Sequence, residues 1–346
     1  MSLPINSFAF RQGLETGSRD YVSHVVRNNE ITYVFTSPLN PDNEEFSAHH
    51  AKHGDGVKDV AFTVDDAAGI YNKAIARGAT GVQEPTTLTD ENGTVIVASV
   101  KTYGDTIHTF VQREGYTGIF MPGFKEHPQR EVLNDVLPVP DLLYIDHCVG
   151  NQRDGEMEAV ATWYEQMLDF HRFWSVDDKM IHTEFSSLRS VVMADFDEKI
   201  KMPINEPADG IRKSQITEFC EYYGGPGVQH IAMRTEDIIT TVQRMKARGV
   251  KFLEKIPDTY YDNLRAGLGK VNMEVKEDID IIQREKILVD YDEKGYLLQI
   301  FTQPVEDRPT LFLEVIQRRN HQGFGAGNFK ALFQAIELEQ AARGNL

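Results

Sequence analysis

Two stretches of the chain, GVKDVAFTVDD at 56–66 and GVQHIAMRTED at 227–237, lie over one another when the sequence is aligned with itself. Each is a strand pattern that runs into a helix. The helices end alike, in Ala76-Arg77-Gly78 and Ala247-Arg248-Gly249, with glycine where a left-handed residue closes a helix. A short strand and a proline follow each, at Pro85 and Pro257. A repeat this widely spaced means two homologous halves and not a solenoid of short units. Each half alternates one helix with several strands, which predicts an α+β fold. The proline-bearing linker Leu137-Pro138-Val139-Pro140 divides residues 1–136 from residues 137–346.

The second half carries further strand patterns at 143–149, 180–184, 190–193, 287–291, 297–302 and 311–316. Helices fit 155–168 and 236–248, where apolar residues recur three or four apart. A last amphipathic helix is expected over 328–342, with Phe329, Leu332, Phe333 and Ile336 on one face. The formal charge of −17, from 36 basic and 53 acidic residues, argues against a nucleic-acid partner, because little here would displace counterions from phosphates. No apolar run approaches the roughly 20 residues that span a bilayer, so no membrane partner is expected. The first residues lack the basic and apolar regions of a signal peptide. With Cys148 and Cys220 as the two cysteines, a cytoplasmic location is expected.

His147 and His230 fall inside strand patterns, a costly place for an unpaired imidazole. Either alone would read as a core histidine bonded to a backbone carbonyl. Glu314 changes that reading. It lies in LFLEVI at 311–316, where an unpaired charge costs several kcal/mol or takes up a proton. Two strand histidines and a strand carboxylate in one half are the parts of a 2-His-1-carboxylate triad, which leaves positions on Fe(II) open for substrate and dioxygen. The repeat sets Asp59 at the place of His230, so only the second half is expected to bind metal. Nearby, Gln229 precedes a ligand, Gln299 and Phe301 alternate on one strand face, and Ser190, Asn205 and Gln215 flank a Pro- and Gly-bearing loop. Each of these polar residues taken singly also fits ordinary turn and edge chemistry.

Two other clusters compete. His49 and His53 are four apart, but no H-E-x-x-H order is present and Gly54-Asp55-Gly56 interrupts the segment, so it reads as a solvated loop. Cys148 abuts His147, yet adjacent strand residues face opposite ways, which predicts a buried inert thiol and not a catalytic pair.

The motifs DHCVGN at 146–151, NEP at 205–207, KSQI at 213–216, GVQHIA at 227–232, LQIFT at 298–302, FLEVIQR at 312–318 and GFGAGNFKALF at 323–333 resemble the 4-hydroxyphenylpyruvate dioxygenases. The resemblance covers nearly the whole chain. It implies a vicinal oxygen chelate fold of paired βαβββ modules, a C-terminal helix that caps the active site, and one Fe(II) held by His147, His230 and Glu314. It further implies that Ser190, Asn205, Gln215, Gln229 and Gln299 line the substrate pocket, that Phe301, Phe324, Phe329 and Phe333 sandwich or cap the aromatic ring, and that Gln229, Gln299 and Phe329 take part in catalysis. The implied reaction turns 4-hydroxyphenylpyruvate and dioxygen into homogentisate and carbon dioxide, in tyrosine and phenylalanine catabolism, within a homo-oligomer for which a dimer is favoured. The 4-hydroxymandelate synthases share the ligands but tend to carry an aliphatic residue where this chain has Phe329; they are the near alternative, and a metal-free binding protein of the same fold is the distant one. In the family a complete strand and helix precede the segment matching residues 13–19. The first module is therefore expected to be short by about 30 residues.

Overall fold

The computed structural model describes residues 10–127, 132–176, 187–208, 210 and 213–344, with side chains described for all of these except residues 10, 11, 174–176, 187, 330, 333 and 342. The first half opens on β1 (Phe10–Gln12), β2 (Tyr21–Asn28) and β3 (Ile31–Pro38). It continues through α1 (Glu44–His53), β4 (Phe62–Thr63) and α2 (Ala67–Ala76) to β5 (Gly81–Asp90), β6 (Gly93–Lys101), β7 (Ile107–Gln112) and β8 (Lys125–Glu126). After a short α3 (Leu133–Val136), the second half begins with β9 (Ile145–Asn151), α4 (Met157–Leu168), β10 (His171–Val176), β11 (Ser187–Ala194) and β12 (Lys201–Ala208), one βαβββ module. The linking helix α5 (Gln215–Tyr223) leads to a second module: β13 (Gly227–Arg234), α6 (Ile238–Ala247), α7 (Asp258–Val271), α8 (Ile279–Glu285), β14 (Leu288–Tyr291), β15 (Tyr296–Phe301) and β16 (Phe312–Arg319). The chain then enters α9 (Phe329–Arg343).

The repeat is visible in the caps. Asp66 accepts from the Gly69 N–H to start α2, and Asp237 accepts from the Thr240 N–H to start α6. The glycines that end these helices, Gly78 and Gly249, have φ of 104° and 89°. The two modules of the second half join into one eight-stranded sheet in the order β10-β11-β12-β9-β13-β16-β15-β14. Its centre is the antiparallel pair β9–β13, and each of these strands runs parallel to the last strand of its own module. The first half instead forms two four-stranded sheets, β3-β2-β1-β8 and β4-β7-β6-β5. By the repeat, β3 answers to β12 and β4 to β13. Among the described residues no strand fills the place between them that β9 fills in the other half.

Several elements differ from the sequence expectation. β12 and α5 occupy the stretch read as a loop around Asn205 and Gln215. The prolines that suggested a loop are accommodated because Asn205 turns its carbonyl to the Gln152 N–H on the β9 side, so Pro203 and Pro207, two residues either way, direct their missing N–H toward β9 as well. Pairing of β12 with β9 is correspondingly confined to Ile204 and Asn205. The His49–His53 segment is the end of α1 and not a solvated loop: Asn43 caps the helix, and buried His53 bonds the Tyr223 carbonyl through Nδ1 and Asp105 through Nε2. Helices α7 and α8 were not anticipated either. The strand expected at 180–184 falls outside the described residues.

The halves dock through aromatic rings seated on glycines. Tyr103 of the first half lies over Gly150 of β9, where a Cβ would come within 2.6 Å of the ring. Tyr223 covers Gly56 and Gly227 in the same way. Cys148 is buried beside this layer, and burial pushes its thiol up to about 12, so it is inert as expected. Gly150→Ala should cost about 1–3 kcal/mol by driving a methyl into a ring with nowhere to retreat. A lowered urea midpoint at unchanged m value, partly recovered in a Gly150→Ala/Tyr103→Leu double variant, is the expected result.

Candidate metal centre and substrate pocket

Strand register assembles the candidate ligands. His147 on β9 and Glu314 on β16 both align with Ala232 of β13, the strand between them, and His230 lies two residues back on the same face of β13. Because Ala232 offers only a methyl group, the space over it is left to its neighbours. Glu314 Oε2 approaches His147 Nε2 at 3.4 Å and His230 Nε2 at 3.2 Å. All three ligand atoms lie within 4.8 Å of one another.

The β9–β13 ladder breaks register twice, once on each strand. Asp146 is the extra residue on β9, between the pairs His147–Ala232 and Ile145–Met233. Gln229 is the extra residue on β13, between Val228–Gly150 and His230–Val149. A bulge re-aims a side chain. The residue before each histidine therefore reaches round to it, against strict strand alternation: Asp146 Oδ1 lies 2.7 Å from His147 Nδ1, and Gln229 Oε1 lies 2.9 Å from His230 Nδ1. An acceptor at Nδ1 places a proton there and turns Nε2 toward Glu314, where in the neutral imidazole its lone pair is available to a metal. Two such lone pairs and one carboxylate converging on a common point fit a divalent first-row metal with open positions.

The two histidines are not equivalent. Burial presses both imidazoles toward the neutral form. For His147 the carboxylates of Glu314 and Asp146 outweigh burial and the shift is upward; for His230, whose Nδ1 partner is a neutral amide, burial prevails and the shift is downward. Burial likewise opposes the charge on Glu314, yet the two histidines hold its carboxyl down at about 2. Asp146 is buried too, and Arg318 with His147 overrides that burial to hold it far below the ordinary carboxylate range. The Arg318 guanidinium grips both Asp146 oxygens, at 2.9 and 2.8 Å, and also donates to the carbonyls of His321 and Gly323. It lies 5.4 Å over the ring of Phe324, whose edge meets His147 at 5.1 Å. One buried arginine thus fastens the loop after β16 against a candidate ligand.

Several of the other expected site residues lie beside this centre. Gln299 donates to Glu314 Oε1, and Gln229 passes its Nε2 hydrogen to Gln215 Oε1 at the start of α5. Phe301 stands edge-on to His230 at 6.0 Å. Ser190 and Asn205 face one another across β11 and β12, and Asn205 aligns with Asn151, four residues along β9 from His147 and so on its face. Half-buried Phe329 packs at the start of α9. The side chain of Phe333 lies outside the described residues. A pocket between α5 and α9 runs past Gln215, Gln229 and Phe312, with Ile336 and Arg343 on the helix side.

Sequence reading missed three residues here. Asp146 and Arg318 are charged residues in strands, the criterion that singled out Glu314, and would have been found had it been applied throughout. Phe312 stacks on His230 at 4.9 Å, and nothing in its pattern separates it from any strand phenylalanine. In the first half, Asp59 accepts from the Thr109 N–H and hydroxyl. Among the described residues the His147, His230 and Glu314 group alone has three histidine, cysteine or acidic side chains close enough to share a metal.

A sequence model of the glyoxalase/bleomycin resistance protein/dioxygenase superfamily matches residues 144–300. The 4-hydroxyphenylpyruvate dioxygenase of Tetrahymena thermophila is 62% identical over 340 residues, covering 97% of this chain and 84% of that protein. The chain belongs to the 4-hydroxyphenylpyruvate dioxygenase family. The family member from Dictyostelium discoideum is 55% identical over 335 residues, covering 96% of this chain and 91% of its own. A solved triple mutant of 4-hydroxymandelate synthase from Streptomyces coelicolor superposes with a TM-score of 0.81 at 31% identity, over 96% of this chain and 91% of that one. The fold is accordingly the vicinal oxygen chelate fold, and the chain is a dioxygenase with a His-His-Glu group able to hold a metal. Among the described residues no helix is long and apolar enough to cross a membrane.

Asp146→Ala should strand the buried Arg318 guanidinium and lower stability by about 3–5 kcal/mol in denaturant titration. The double replacement Asp146→Leu/Arg318→Met should lose less than the single one, since no buried charge is left unpaired.

Proposed function

We propose that this chain converts 4-hydroxyphenylpyruvate and dioxygen to homogentisate and carbon dioxide, with His147, His230 and Glu314 holding one Fe(II). The observation that carries the reading is the convergence of two imidazole Nε2 atoms and a carboxylate oxygen on one buried point, each imidazole oriented through its Nδ1. Bound there, Fe(II) would offer open positions to the carboxylate and keto oxygens of the 2-oxo acid and to dioxygen. The substrate supplies its own reducing electrons through loss of carbon dioxide, so no second organic co-substrate is needed.

The side chains bind, orient and exclude water. Phe301, Phe312 and Phe324 wall the histidines with rings and keep bulk water from the centre. Gln229 has both ends of its amide engaged, by His230 and Gln215, whereas the Gln215 Nε2 hydrogens make no bond among the described residues and are assigned to a substrate oxygen. Ser190 and Asn205 extend that polar wall, with Phe329 closing the ring side from α9. Gln299 gives one Nε2 hydrogen to Glu314 and accepts from Asn328, and its second Nε2 hydrogen is assigned to substrate. With this function go a non-catalytic half at 1–136, a catalytic half at 137–346, a dimeric assembly and a cytoplasmic location.

The second reading is benzylic hydroxylation to 4-hydroxymandelate, which the structural likeness to a mandelate synthase keeps in view. The two outcomes differ in where the ring is held, and about 1.4 kcal/mol between their barriers changes the product ratio tenfold. Greater identity to the dioxygenases, and phenylalanine at 329, favour homogentisate.

Alanine at His147, His230 or Glu314 should abolish turnover and bound iron with the fold retained, while Asp59→Ala keeps iron at the parent level; iron assay and oxygen uptake read both. Full activity in any ligand variant removes that residue from the triad. Chromatography of the products should show homogentisate from the parent and measurable hydroxymandelate from Phe329→Ile. Homogentisate alone from a well-folded Phe329→Ile variant refutes the role of that ring, and hydroxymandelate from the parent refutes the function.

A further inference from the structure

The amide of Gln299 has a direction that its surroundings dictate from one end. A carboxylate only accepts, so the Gln299 atom 3.2 Å from Glu314 Oε1 is Nε2. The far end is then Oε1, which accepts from Asn328 Nδ2 at 3.0 Å. Asn328 must turn its own Oδ1 outward, to the Tyr260 hydroxyl 2.7 Å away. The Tyr260 proton has two acceptors in reach, Asn328 Oδ1 and the Val289 carbonyl at 3.0 Å, and the shorter contact assigns it to Asn328, while the hydroxyl oxygen accepts from the Val289 N–H at 2.8 Å. Glu314, Gln299 and Asn328 are each no more than 2% exposed, so water does not interrupt the chain.

Two details mark this chain as built. Asn328 precedes α9 as its N-cap residue, the place where an asparagine side chain ordinarily bonds the first turn, yet it makes no capping bond and is spent on Gln299 and Tyr260. At Gly325, with φ of +78°, a Cβ would lie 1.7 Å from Gln299 Oε1, so the backbone there leaves room only for the amide.

We propose that Asn328 and Tyr260 are positioning residues for Glu314. They hold the Gln299 amide so that its N–H grips Oε1, which keeps Oε2 turned toward His147 and His230. Without the Asn328 donor, Gln299 is free to flip and set its oxygen against the carboxylate. The seat of α9 and the stance of the metal carboxylate thereby become one hydrogen-bonded unit. This inference rests on the reading of the triad as a metal centre.

Anaerobic Co(II) titration of the metal-free protein, followed by the d–d absorption, tests it without turnover. Asn328→Ala should weaken Co(II) binding about tenfold and alter the band, and Asn328→Asp, which sets an acceptor against Gln299 Oε1, should weaken it more, within the roughly 10- to 100-fold range of such outer partners. Tyr260→Phe keeps the ring packing and should shift binding the same way by less; it decides the matter if the Asn328 variants do not fold. In a Gln299→Ala background, Asn328→Ala should add no further loss. Variants that melt lower but bind Co(II) with the parent's affinity and spectrum overturn the inference alone. A parent that takes up no Co(II) overturns the triad reading and the inference together.

Discussion

Three titratable groups buried within 4.8 Å of each other are the constraint around which this chain is arranged. Leaving water costs each of them its charged form unless partners restore it. The sheet answers with position: two ligands align on a single alanine, so three neighbouring strands deliver three polar atoms to one point with nothing between. It answers again with outward partners, a carboxylate on one histidine, an amide on the other, and an amide on the ligand carboxylate.

Those partners explain features that look unrelated. Two bulges, one on each central strand, turn the preceding residue toward each histidine. The buried Arg318 is needed because Asp146 is buried, and in satisfying Asp146 it also draws in the loop that carries Phe324. The difference between an anionic partner for His147 and a neutral one for His230 separates the two imidazoles electrostatically, although each is carried on the first strand of its module, parallel to that module's last strand. Symmetry of the backbone is preserved while symmetry of the chemistry is not.

The first half repeats the strand-into-helix order of β13 and α6 in β4 and α2, but not the single eight-stranded sheet. Asp59 stands where His230 stands in the other half and is occupied by Thr109. That half packs against the second: Tyr103 packs over the glycine of β9 four residues from Asp146, and α1 docks on α5, which carries Gln215.

Much of this was legible from residue order alone. The repeat, the closing glycines and the positions of most second-half strands follow from local periodicity and turn chemistry, which act over a few residues. The three candidate ligands could be picked out because a polar residue in a buried strand has an energetic cost wherever its partner is. What residue order could not supply is which partner answers that cost. Asp146 reaches His147 only because a bulge breaks the alternation that would have sent the two side chains apart. Arg318 reaches Asp146 from 172 positions along the chain, and Asn328 forsakes its own helix for Gln299. β12, with two prolines, looked like a loop until its neighbours showed that both prolines direct their missing N–H toward the strand it barely pairs with. Periodicity is a property of one segment, whereas register and hydrogen-bond direction belong to pairs of segments, and only the tertiary structure brings the pairs together.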